Sequence, residues 1–163
     1  MHIFDPTTLV GIHSLISVLA IVLGIPAIAG LLRGQGRTTS ITAFLVAALA
    51  TNVSGFIIPA SSFLPSHATG IVSFIALGAA LLSGYRYGLA GVWRAVHAAS
   101  IVAAEYLLIF VAIAQSFLKV PALAAMIVDT QLPFAATALA ALLAFIALGW
   151  AAVRHSRARL AAA

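Results

Sequence analysis

Five long, mainly apolar runs dominate the sequence, at about 8–32, 40–59, 67–85, 93–118 and 133–153. A helix needs roughly 20 apolar residues to cross about 30 Å of hydrocarbon at about 1.5 Å per residue. Each run approaches or exceeds that length. The runs lack the polar–apolar alternation that strands of an outer-membrane barrel show. The sequence therefore predicts an all-α fold, with residues 1–163 forming a single transmembrane domain of five spanning helices.

The composition supports lipid as the surrounding solvent. Of the 163 residues, 64% are hydrophobic and 7% are charged, whereas about a quarter of a soluble domain is charged. The absence of cysteine excludes disulfides, iron–sulfur clusters, thiolate zinc sites and c-type haem. The sequence also lacks the motifs GxxxxGK[ST], HExxH and GxSxG, so a soluble-type ATPase or hydrolase has no support.

The orientation in the membrane follows from the basic residues. One side holds only Lys119, whereas the other side holds seven arginines: Arg33, Arg37, Arg86, Arg94, Arg154, Arg157 and Arg159. The positive-inside rule then places the N-terminus outside and the C-terminus in the cytoplasm of a bacterial inner membrane. The N-terminal tail has no basic residue, which favours a retained span over a signal peptide. The arginines thus report topology and attraction to the lipid bilayer, and we expect no nucleic-acid partner.

The spans differ in character. The fifth consists mainly of Ala, Leu and Phe, which predicts a peripheral helix that faces lipid, other membrane subunits or a second copy of the chain. The first span has a narrow face of mainly small residues that would let another helix approach closely: His13, Ser17, Ala20, Gly24 and Ala27. We therefore expect spans one to four to form the packed bundle. The loop at 119–132 is a candidate for a short interfacial helix.

The fourth span carries a polar stripe. At about 100° per residue, four polar side chains fall within an arc of about 80°: Arg94, His97, Glu105 and Gln115. Glu105 lies near the middle of the span, where polar groups are costly and usually functional. It is predicted to be a proton- or ion-handling acid, or a neutral group hydrogen-bonded to Asn52 or Thr51. Arg94 and His97 are expected to be anchors at the interface.

Two histidines could share one depth near the outer side. His13 lies in the first span and His67 opens the third, which is the arrangement of a bis-histidine b-type haem, with both side chains bound to the iron. Gly24, Gly55 and Gly70 could leave room for the porphyrin. The alternative is that His13 forms a hydrogen bond within the bundle and His67 caps its helix.

Four stretches, TNVSGFIIP, SHATGIVSF, GLAGVWRAVH and QSFLKVPAL, resemble a group of small uncharacterised bacterial inner-membrane proteins, from about His13 to Leu123. That resemblance implies the same location and brings no activity. Where the group tends to have an Asn after the Tyr-Leu of the fourth span, this chain reads Glu105-Tyr106-Leu107-Leu108. The layout of histidines in spans one and three is more loosely similar to small membrane bundles that bind b-type haem. That similarity is an analogy of layout, and a shared fold does not fix function.

Three classes of function therefore remain open. The first is a small redox protein that binds haem b through His13 and His67, with Glu105 as a proton group. The second is a proton-coupled carrier or channel that uses the Glu105 stripe. The third is a non-catalytic accessory or assembly subunit of a larger membrane complex. Whether the protein is an enzyme also stays open.

Overall fold

The computed structural model describes residues 4–59 and 65–161. It is 83% helical, and the described residues contain no strand. The helices are α1 (Leu9–Leu32), α2 (Thr39–Ile57), α3 (Pro65–Leu81), α4 (Trp93–Lys119), α5 (Pro121–Ala125) and α6 (Leu132–Ala161), and a π-helical turn, Leu82–Arg86, extends α3. Five of these segments are long and apolar enough to cross a membrane. The predicted all-α fold with five such helices is confirmed.

The helix boundaries follow from local chemistry. Thr8 and Thr38 precede α1 and α2, and their hydroxyls accept hydrogen bonds from the amides of Gly11 and Ile41, at 3.0 and 3.2 Å. Such caps satisfy amides that have no partner within the helix. The α6 helix continues to Ala161, eight residues beyond the predicted end at 153. The added segment is rich in Ala, Arg and Leu, which are strong helix formers.

The four helices α1 to α4 form the packed bundle. Helix α1 packs mainly on α2, α3 mainly on α4, and α4 also contacts α1, α2 and α6. The largest fully buried apolar side chains are Phe44, Ile41, Leu77 and Ile101. Many of the other core positions are alanines, which let helix backbones approach closely. Helix α4 is therefore the element on which most of the bundle is assembled.

Helix α6 lies at the side of this bundle. In the 18-residue apolar stretch of α6, only 6% of the residues are buried. In the corresponding stretches of the other four long helices, 28% to 39% are buried. It runs along α4 and also touches α1. The exposed side chains include Leu139, Leu143, Ile146 and Trp150. This arrangement agrees with the predicted separation of the fifth span from the first four.

The arginine-rich loops meet at one end of the bundle. The guanidinium of Arg37, in the loop between α1 and α2, donates a hydrogen bond to the carbonyl of Gly84 in the π-helical turn. It also lies 5.8 Å from the centre of the Tyr85 ring. In the next loop, Leu89 has a left-handed backbone (φ 61°) and a buried side chain that lies against Gly36. These contacts join the α1–α2 loop to the end of α3.

Candidate functional site: a buried carboxyl and a buried histidine

The Glu105 side chain points into the bundle. It is 2% exposed and lies in the middle of α4. Its carboxyl group rests directly on Gly24 of α1, where an added methyl group would overlap the carboxyl carbon and both oxygens. Its Oε2 atom is buried and has no hydrogen-bond partner among the described residues. An acid that the sequence placed near the middle of a span is thus enclosed at the contact between α1 and α4.

Asn52 and Thr51 do not provide the partner that the sequence suggested for Glu105. The Asn52 amide donates to Ser73 Oγ at 2.9 Å and to the Ala48 carbonyl at 3.1 Å, so it joins α2 to α3. Thr51 is also buried, and its Oγ1 has no partner within the described part of the chain. The structure places all three residues in the interior but does not join Glu105 to the other two.

His97 is the second ionisable group inside the bundle. It is 2% exposed, and its Nδ1 lies 2.8 Å from the Ala80 carbonyl and 3.3 Å from Ser83 Oγ. Because a carbonyl oxygen only accepts, Nδ1 must carry the hydrogen. The other nitrogen, Nε2, is buried and has no hydrogen-bond partner among residues 4–59 and 65–161. The ring is therefore held on one side only.

The sequence predicted His97 to be an anchor at the interface, whereas the structure encloses its side chain beside the π-helical turn. Within the turn, the amide of Tyr87 bonds to the Leu82 carbonyl at 3.0 Å, one residue further back than in an α-helix. The Ala80 carbonyl accepts from the Ser83 hydroxyl, at 3.0 Å, and from His97. Because Gly84 has no side chain, its backbone lies directly against the His97 imidazole. Turns of this kind often occur at functional sites.

We expect Gly84→Ala to displace the His97 ring. A methyl group at Gly84 would lie 2.9 Å from His97 Cε1 and 3.1 Å from Nδ1, closer than van der Waals contact allows. The expected cost is about 1–3 kcal/mol in the free energy of unfolding, measured in mixed micelles. Gly78→Ala, in the same helix, is the matched control because nothing lies within 4 Å of the added methyl. Equal stability of the two variants would contradict this packing.

The rest of the predicted stripe on α4 is less buried. Arg94 is half-buried, although its Nε atom is enclosed and without a partner in the described residues. Gln115 is half-buried near the other end of α4. Glu105 and His97 are thus the two enclosed members, and their positions on α4 differ by eight residues, or about 12 Å along the axis.

His13 forms a hydrogen bond within the bundle, as one of the two sequence interpretations required. Its Nδ1 lies 2.9 Å from Ser54 Oγ. The Ser54 hydroxyl donates to the Thr51 carbonyl at 3.0 Å, so Nδ1 carries the hydrogen of the first bond. The imidazole also packs on Gly55, where an added methyl would be 3.2 Å from Cε1. The space at Gly55 is therefore filled by His13.

Side chains lie at the glycines that were expected to leave room for a porphyrin between His13 and His67. His67 packs beside Phe56, with ring centres 5.5 Å apart. Phe56 in turn covers Gly70, where an added methyl would lie 2.7 Å from its Cε2 atom. The three glycines predicted to leave room for haem are thus covered by His13, Phe56 and Glu105. Since a haem would have to displace such groups, no step of a mechanism is assigned to it.

The haem prediction has a direct spectroscopic test. Because side chains fill the space beside these three glycines, we expect the purified protein to bind no haem. After expression with ample haem, it should show no Soret band. A Soret band that disappears in both His13→Ala and His67→Ala would contradict this expectation and restore the bis-histidine site.

Sequence patterns did not indicate several of these contacts. Ser83 and Gly84 follow an ordinary apolar run, and no local signal predicted a π-helical turn there. Gly24 was recognised as part of a small-residue face, but its contact with Glu105 depends on how α1 and α4 are rotated. The comparisons with family models, curated proteins and solved structures found no match. The site must therefore be interpreted from its own geometry.

Proposed function

We propose that this chain is a multi-pass protein of the bacterial inner membrane in which Glu105 takes up and releases a proton within the bundle, as part of a proton-coupled carrier or channel. The observation that carries the proposal is the enclosed Glu105 carboxyl, whose Oε2 has no partner in the described residues. Intramembrane acids are costly, and those that are kept commonly serve proton or ion pathways. We rank this interpretation ahead of the haem interpretation because Glu105, His13 and Phe56 cover the glycines that were expected to leave room for a porphyrin.

The proposed topology has the N-terminus outside and the C-terminus in the cytoplasm. It is supported by the seven arginines, which lie in the loop after α1, in the π-helical turn, in the first turn of α4 and near the end of α6. The aromatic residues near these loops are also typical of an interface. Tyr87 stacks on Trp93 at 3.9 Å, and the Arg154 guanidinium lies 4.6 Å from the centre of the Trp150 ring.

A proton suits the surroundings of Glu105 better than a metal cation does. Cations such as Ca²⁺ take about six to eight oxygen ligands. The Glu105 carboxyl instead lies on the backbone of Gly24, and its Oε2 has no partner among the described residues. A proton needs one acceptor oxygen. The neutral acid that results also avoids the cost of a charge in hydrocarbon.

His97 is the proposed relay between Glu105 and the cytoplasm. Its Nδ1–H donates to the Ala80 carbonyl, so Nε2 is the atom that can gain a proton. The backbone of Gly36, in the loop that also carries Arg37, lies next to the His97 side chain. Because His97 is about 12 Å from the level of Glu105, transfer between them requires water or movement of the helices.

An infrared titration tests whether Glu105 exchanges a proton. The chain has only three acidic side chains, Asp5, Glu105 and Asp129. We expect the reconstituted protein to show the carbonyl band of a protonated acid, and this band should disappear in Glu105→Gln. Asp129→Asn removes an exposed carboxyl and is the matched control. A band that neither depends on Glu105 nor changes with pH would defeat the proposal.

The exposed side of α6 supports a second candidate, an accessory subunit of a larger membrane complex. The chain itself buries only 6% of the residues in the 18-residue apolar stretch of α6. If this is the function, extraction in a mild detergent should yield a defined complex with other membrane subunits. A monodisperse protein that is stable alone would argue against it.

A further inference from the structure

An apolar groove lies between α4 and α6, and neither Gly24 nor Glu105 is among the residues that line it. It has a volume of about 420 Å³. The residues that line it include three small ones, Ala99, Ala103 and Gly149, and three aromatic ones, Tyr106, Phe145 and Trp150. Gly149 keeps the groove open, because a methyl there would only reach ordinary contact with Val102, at 3.6 Å. The groove is distinct from the site of Glu105, which faces α1.

The length of the groove matches one acyl chain. On α6 it extends from Leu142 to Val153, which is about 16 Å along a helix. Half of the hydrocarbon layer is about 15 Å thick. One end of the groove is level with Tyr106, in the middle of α4, and the other reaches the arginine-rich end of the bundle. A single lipid tail would therefore fit along it.

The charge at the open end favours a negative headgroup. Arg154 follows the last groove residue, and its guanidinium lies 4.6 Å from the centre of the Trp150 ring. The arginine-rich end has no acidic residue to neutralise it, since Asp5 and Asp129 lie at the other end and Glu105 is in the interior. Basic sites between membrane helices bind anionic lipid headgroups. Arginine is well suited to phosphate because its planar donors bond two oxygens at once.

We infer that this groove is a binding site for one anionic phospholipid. Its acyl chain lies between α4 and α6, and its phosphate accepts hydrogen bonds from Arg154. The lipid fills the space beside α6, the least buried of the five long helices. Binding at this site does not depend on whether Glu105 carries a proton.

Native mass spectrometry of the purified protein tests the site with two probes. Phosphatidylglycerol and phosphatidylethanolamine with the same acyl chains are added separately at increasing concentration. We expect a single tightly held phosphatidylglycerol and weaker retention of phosphatidylethanolamine. Arg154→Gln should weaken phosphatidylglycerol binding about fivefold, the effect of one arginine at a membrane surface. Arg86→Gln removes one charge from the same end, away from the groove, and should leave binding unchanged.

The groove is tested by adding volume to it. Gly149→Leu should abolish the retained lipid, whereas Ala147→Leu, an exposed position on the opposite side of α6, should not. Ala99→Leu narrows the groove from α4 and checks that any loss does not come from an altered α6. Equal retention of the two lipids, equal effects of the two arginine variants, or normal binding by both Gly149→Leu and Ala99→Leu would each overturn the inference. Loss of flux in Glu105→Gln with normal lipid binding would separate this site from the proposed proton function.

Discussion

Gly24→Ala is expected to dislodge the Glu105 carboxyl and to destabilise the bundle, and the added mutation Glu105→Ala is expected to restore much of that stability. In Gly24→Ala, the new methyl overlaps the carbon and both oxygens of the carboxyl. The Glu105 side chain can rotate away, but its carboxyl then loses the contact with Gly24 and lies among apolar side chains. We expect a loss of about 1–3 kcal/mol in the free energy of unfolding.

The double mutant that combines Gly24→Ala with Glu105→Ala measures the coupling free energy of this contact. When residue 105 is alanine, the carboxyl is absent and the methyl at position 24 occupies vacated space. The coupling between the two mutations should therefore be favourable by about 1–2 kcal/mol, within the range seen for residues in contact. Gly78→Ala is the control for the general effect of Gly→Ala in a helix, because its methyl meets nothing within 4 Å. Additive effects at positions 24 and 105 would mean that the carboxyl does not lie on Gly24.

Glu105→Gln is expected to reduce proton flux to the background level in liposomes loaded with a pH-sensitive dye. Glutamine has nearly the shape of glutamic acid and fits the same space against Gly24, but it cannot release a proton from its side chain. The fold should therefore persist while the exchange is lost. This separates a role in proton transfer from a role in packing, which the amide could still perform.

Two further variants sharpen the flux measurement. Asp129→Asn removes another carboxyl from an exposed position and should leave the flux unchanged. His97→Ala should slow the flux if this ring is the relay, and the loss should be smaller than in Glu105→Gln because water can replace the imidazole. Wild-type flux in Glu105→Gln would remove the proton function, whatever the result for His97.

The sequence predicted the helices well because their lengths follow from hydrophobic thickness. The first four predicted runs ended within a few residues of the observed ends of α1 to α4. Only α6 was clearly longer than expected. The polar stripe on α4 also identified Glu105 and His97 before their contacts were known. These predictions depend on periodicity within one helix, which a single sequence carries.

The contacts between helices could not be predicted in the same way. Distance from the middle of the span placed His97 at the interface, whereas the π-helical turn at the end of α3 encloses it. The glycines suggested room for a porphyrin, whereas Phe56 covers Gly70 and Glu105 covers Gly24. A glycine marks a place where something comes close, but the rotation of neighbouring helices decides what that is. Asn52 similarly turned towards Ser73 and not towards Glu105.

Pro26 lies two residues beyond the glycine that receives the Glu105 carboxyl, and α1 remains helical through it. A proline has no amide hydrogen, so the carbonyl of Val22 lacks its usual donor and the helix is weakened at that level. Because only 2% of Glu105 is exposed, we expect water to reach its carboxyl when α1 bends away from α4 at this level. If Glu105 exchanges a proton as proposed, we expect the flexing of this backbone hinge to set the rate of exchange.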